Sequence, residues 1–104
     1  MSDMQTEAEF TKHLNTKFRL VVDVPQTIEL TLVSVTPRMI EPNEQAGMER
    51  FSAMFMGPLE IFIPQQTYRL SHPEMGEFDI FLVPLGQEGE GFRYEAVYNY
   101  YRED

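Results

Sequence analysis

Apolar residues along the chain keep two periods. Phe10 and Leu14 stand at i, i+4, on one face of a helix. Thr6-Glu7-Ala8-Glu9 precedes them as a capping box, with Thr6 accepting from the Glu9 N–H and Glu9 reaching back to the Thr6 N–H. This predicts a short helix over about 6–15. Such a helix does not stand alone in water, so it must pack on something.

From Lys17 the period becomes two. Phe18, Leu20 and Val22 alternate with Lys17, Arg19, Val21 and Asp23, the mark of a strand with one buried face. Asp23-Val24-Pro25-Gln26 reads as a turn or loop. A second strand covers about 27–36. Its apolar parity runs through Ile28, Leu30 and Leu32 and then flips to Val33 and Val35. One extra residue near Leu32–Val33 accounts for the flip, so a β-bulge is expected there. Residues 37 to 47 are polar and read as an exposed loop in which Met39 and Ile40 tuck against the body. The third strand, 49–56, alternates Phe51, Ala53 and Phe55 with Arg50, Ser52, Met54 and Met56.

Gly57-Pro58 ends that strand. Leu59 to Ile63, bracketed by Pro58 and Pro64, is expected to be an irregular segment plugging one end of the core. A hairpin follows. Tyr68, Leu70 and His72 line one side, Pro73-Glu74-Met75-Gly76 turns, and Phe78, Ile80 and Leu82 return. Residues 86–91 form a glycine-rich acidic loop. The last strand, about 92–100, carries Phe92, Tyr94, Ala96 and Tyr98 on its apolar parity. Tyr98, Tyr100 and Tyr101, near the chain end, are expected to be partly exposed.

Six strands, short connections and one helix predict a mainly β domain. The expected architecture is a small six-stranded antiparallel β-barrel with a short N-terminal helix, and a β-sandwich is the alternative. The 104 residues suit a single domain, 1–104, with 1–5 and 101–104 frayed.

Composition narrows the function. Eight Lys/Arg against 17 Asp/Glu leave a net charge of −9. Such a surface repels phosphate backbones, which argues against nucleic-acid binding. With no cysteine, disulfides, thiolate chemistry and zinc–thiolate sites are excluded. No apolar run approaches the roughly 20 residues of a membrane span. Met1 to Gln5 lacks the basic and apolar regions of a signal peptide. The chain therefore reads as soluble and cytoplasmic.

Candidate chemistry is sparse. Neither histidine has metal-ligand spacing. His72, before Pro73, reads as a cap on the hairpin turn, and His13 as a solvated helix residue. Glu88 and Glu90 among glycines lack the calcium-loop pattern, and no serine has a nucleophile-elbow context. No metal, cofactor or catalytic residue is nominated. If a small ligand binds, the nominated residues are Tyr68, Arg69, His72 and Tyr94, at one barrel mouth. Met54, Met56, Phe81, Val83 and Val97 fall on the outward parity of three strands, and something should cover them. The N-terminal helix is one cover. A protein partner, or another copy of the chain, is the other.

Gly57-Pro58, Gln66-Thr67-Tyr68-Arg69-Leu70-Ser71-His72-Pro73, Phe81-Leu82-Val83-Pro84-Leu85-Gly86 and Arg93-Tyr94-Glu95-Ala96-Val97-Tyr98-Asn99 together resemble a family of small bacterial proteins known only as a domain of unknown function. Phe10, Phe18-Arg19-Leu20, Leu30 to Val35 and Phe51 to Pro58 fit that pattern in order, and Tyr98 stands where the family has Phe. The resemblance implies no catalytic residues. It also implies company with phage-tail-collar-like proteins, hence a tail-associated structural part, adaptor or chaperone. The expectation is thus a non-enzymatic interaction or assembly module, with a small-ligand-binding barrel as the alternative.

Overall fold

Strand alternation becomes a closed sheet in the computed structural model, which describes residues 5–23, 25, 27–37 and 48–101, with only the backbone of Met48 and Tyr101. One helix, α1 (Glu7–Lys12), precedes six strands. They are β1 (Lys17–Leu20), β2 (Glu29–Pro37), β3 (Met48–Pro58), β4 (Gln66–His72), β5 (Gly76–Glu88) and β6 (Gly91–Tyr101). All pairings are antiparallel, and the order β1-β2-β3-β6-β5-β4 closes as a barrel. Two three-stranded meanders, β1–β3 and β4–β6, meet along two seams. The β3–β6 seam is long, from Met48↔Tyr101 to Pro58↔Gly91. The β1–β4 seam is short, with Arg19↔Ser71 and Leu20↔Leu70 in register. That second seam joins the sheet edges, so the sandwich alternative is set aside.

The interior is filled by side chains. Phe18, Leu30, Leu32, Phe51, Phe55, Leu70, Leu82 and Tyr94 are at most 1% exposed. The ends are closed by the chain's own segments. At one end α1 inserts Phe10, whose ring centroid lies 5.6–6.3 Å from those of Phe18, Phe51, Phe55, Phe78 and Tyr98. Burying such a ring contributes about 1.5–3 kcal/mol. The capping box holds the helix start: Glu9 N–H donates to Thr6 Oγ1 and Thr6 N–H to Glu9 Oε1, both at 3.1 Å. The barrel rim holds the approach. Glu7 N–H donates to Glu49 Oε2 (2.9 Å), and the Tyr98 and Tyr100 hydroxyls donate to the Gln5 side chain and carbonyl. At the other end, the segment between β3 and β4 turns Ile63 inward, where it is buried, as its proline brackets predict.

Two expectations are corrected here. The helix does not cover the outer face of the sheet, because Phe10 finds more aromatic partners inside the open barrel end than any outer strand offers. Tyr98 is buried, stacked on Phe51 with centroids 4.7 Å apart and planes within 6°. Its strand parity outweighs its nearness to the chain end, and burial, followed by the influence of Tyr100 and Glu9, raises its hydroxyl pKa.

Boundaries also move. The helix stops at Lys12 rather than near residue 15. Asn15 adopts a left-handed φ of 67°, which Asn tolerates, and its N–H donates to Leu32 O at 2.7 Å. The bulge predicted near Leu32–Val33 is present as a register shift between Leu32 and Ser34. Residues 86–91 are not a loop. Gly86 (φ 117°) carries a second bulge, and Gln87 and Glu88 pair with Phe92 and Gly91, leaving Gly89 and Glu90 as the turn. Of the expected loop 37–47, Pro37 instead ends β2, paired with Phe51, and 38–47, with Met39 and Ile40, lie outside the described residues, as do residues 1–4 and 102–104 of the expected frayed ends. The expected turn at 23–26 lies partly outside them. β6 extends to Tyr101.

Candidate functional site

The four residues nominated for a ligand do not converge. Tyr68 and Tyr94 come together, but their hydroxyls are engaged in holding the end plug. Tyr94 Oη accepts the Ile63 N–H at 3.1 Å, and Tyr68 Oη donates to Pro64 O at 2.5 Å. Burial, with Tyr94 alongside, raises the Tyr68 hydroxyl pKa, consistent with a neutral donor. Arg69 points outward from β4. Its Nε lies 3.0 Å from Asp79 Oδ1 and its Nη1 3.7 Å from Glu77 Oε1. His72 belongs to the opposite end, beside α1.

His72 anchors a compact polar knot. Nδ1 accepts the N–H groups of Glu74 (3.1 Å) and Met75 (3.3 Å) across the hairpin turn. Nε2 lies 3.0 Å from Thr16 Oγ1, whose own hydroxyl donates to His13 O at 2.6 Å. These contacts assign the neutral tautomer with the proton on Nε2, donating to Thr16. The ring packs on Phe18, centroids 4.4 Å apart, and on His13 at 4.6 Å. Burial, then the nearby His13, lower its pKa, and Glu74 opposes them weakly. Both ring nitrogens are therefore committed to structure: the imidazole fastens the β4–β5 turn to the helix end. Sequence reasoning anticipated the turn cap. It missed Thr16, and His13, expected to be a solvated helix residue, is half-buried at the helix C-cap with its ring tilted 54° against His72 and its Nδ1 3.2 Å from Glu74 Oε1. Residues 16 and 72 meet only through the β1–β4 seam, so no local spacing signals the pair.

Among the described residues no cluster of His, Cys, Asp and Glu has the arrangement to hold a metal. An open cleft along the β1–β4 seam, lined by Lys17, Arg19, Glu29, Ser71 and Pro73, mixes both signs of charge and contains none of the nominated ligand residues.

The five outward apolar residues do form one neighbourhood. Register sets Met54 opposite Glu95, and Glu95 opposite Val83. The β5–β6 pairing ends at Val83↔Glu95; Phe81 and Val97 each lie two residues beyond it on the same outward parity, Phe81 where β5 pairs with β4 and Val97 where β6 pairs with β3. Phe81 is 49% and Val97 50% exposed, and the bulge residue Leu85 is 48% exposed. Val83, Met54 and Met56 are half-buried. Met56 pairs with Arg93 at the margin of this patch. Sequence parity found these five residues but not Leu85, which the second bulge turns outward, nor the carboxylate in their midst.

Residues 5–98 match the family model described as "Domain of unknown function (DUF6916)". No curated protein and no solved structure matches the chain. Among the described residues no helix is long and apolar enough to cross a membrane.

Proposed function

The chain belongs to the DUF6916 family, whose description carries no activity, and from that premise we propose that it is a non-enzymatic module that binds another protein through the outer face of β5 and β6. The observation that carries this reading is the half-exposed pair Phe81 and Val97 on a barrel whose own segments close its ends and leave that face bare. An exposed aromatic ring with aliphatic side chains around it offers large apolar area at low entropic cost, which suits an interface anchor. What is offered is a side-chain face, because at these positions β5 is paired with β4 (Thr67↔Phe81) and β6 with β3 (Ser52↔Val97). Use as a tail-associated adaptor or chaperone is the finer form of this proposal, supported by the family resemblance of its motifs. We further read the protein as bacterial, on the strength of that family resemblance.

The test compares wild type with Phe81→Asp as baits in a host extract, with thermal unfolding and light scattering run alongside. Wild type should retain a partner that Phe81→Asp releases, while both unfold at the same temperature. Identical retention by both proteins would refute the reading.

A further inference from the structure

Glu95 stands near the middle of the apolar patch. Met54 and Val83 are its register partners on either side, and Val97 and Arg93 are its outward neighbours along β6. It is only half-buried, and among the described residues no hydrogen bond or ion pair engages it. The nearest cation along the strand, Arg93, is held elsewhere, with its Nε 3.2 Å from Glu88 Oε1. Beyond Phe81, Asp79 is likewise taken, by Arg69.

A partner that covers Phe81 and Val97 must also remove water from Glu95. A desolvated carboxylate without a counter-charge is costly, so an apolar cover alone would forfeit much of what burial of the patch contributes. Resting on the interaction reading above, we infer that the occupant of this face is a protein segment presenting one arginine or lysine, flanked by aliphatic or aromatic side chains, to Glu95. The chain's charge of −9 favours a basic segment and opposes a second copy. Arginine suits the position best, because its planar guanidinium can meet the carboxylate in a fork while lying flat on Met54 and Val83.

The probe is a displayed library of short random peptides, selected separately against wild type, Phe81→Asp, Glu95→Gln and Glu95→Lys. Thermal unfolding checks that these surface variants remain folded. Wild type should enrich peptides with a central basic residue between apolar ones. Those peptides should bind Glu95→Gln at least about tenfold more weakly, the order expected on removing one side of a covered charge pair, and should not bind Phe81→Asp. Glu95→Lys should enrich peptides with an acidic centre. Peptides that need Phe81 but are indifferent to Glu95 would overturn this inference and leave the interaction reading intact. A dimer in light scattering that Phe81→Asp dissolves would overturn it in favour of a second copy. An absence of any Phe81-dependent peptide would overturn both.

Discussion

Replacing His72 should separate its structural work from any other role. Three hydrogen bonds converge on the ring: two backbone N–H groups on Nδ1 and the Thr16 hydroxyl at Nε2. At about 1 kcal/mol each, His72→Ala should lose about 3 kcal/mol, a large share of the roughly 5–15 kcal/mol that holds a domain this size. His72→Asn should recover part of that loss. A short side-chain carbonyl can accept the N–H two residues on, here Glu74, as turns commonly use. Acid should act at the same point. A proton on Nδ1 removes the acceptor for both N–H groups, and burial with His13 alongside disfavours the charged ring. The folded state therefore binds this proton less readily than the unfolded chain does. Stability from His72 is complete above the ordinary histidine range, near pH 6.5, and is lost as pH falls through that value toward the lowered folded one. Urea unfolding at about pH 7.5 and about pH 5.5 measures this. Wild type should lose more stability on acidification than His72→Asn, and imidazole nitrogen shifts at the higher pH should report the Nε2–H tautomer. Equal acid sensitivity of the two proteins, or a proton found on Nδ1, would refute the reasoning.

Phe10→Ala should cost about 3–5 kcal/mol and lower the melting temperature by more than about 10 °C. A loss of only a degree or two would mean that the helix does not plug the barrel. Tyr94→Phe removes the acceptor for the buried Ile63 N–H and should cost about 1–3 kcal/mol. Amide exchange should accelerate at Ile63 before the strands, and unchanged protection there would argue against the plug's anchoring. Gly91→Ala would set a Cβ 2.7 Å from Gly57 O and 3.0 Å from Met56 Cε. Since the first contact is backbone, β3 and β6 must part locally at about 1–3 kcal/mol, read as a lower urea midpoint with unchanged slope. An unshifted midpoint would rule out the clash.

What could be read from the chain was what neighbouring residues decide among themselves. Thr6 and Glu9 are three residues apart, and their reciprocal bonds form as predicted because a capping box needs nothing beyond one turn. Alternation placed Phe51, Phe55, Tyr68, Leu70, Ile80 and Tyr94 inside because a strand's two faces repeat every second residue. The phase flip after Leu32 identified the bulge for the same reason. The glycine-rich stretch at 86–91 misled because composition was weighed over pairing. Gly86 serves a bulge and Gly91 a close approach to β3, so both glycines lie within strands.

Taken alone, the sequence determined the strand phases, the capped helix start, the irregular end segment and the outward parity of Phe81, Val83, Val97, Met54 and Met56. Only the tertiary structure decided what those faces meet. Ring closure through the short β1–β4 seam brings Thr16 to His72. The barrel's open end, not its flank, receives Phe10, and that choice leaves Phe81 and Val97 in water. A period records which side of a strand is apolar but not which part of the chain will lie against it. That depends on cross-strand register and on competition between burial sites far apart in sequence. The isolation of Glu95 among apolar neighbours is the same kind of fact: its surroundings come from β3 and β5, and β6 alone does not encode them.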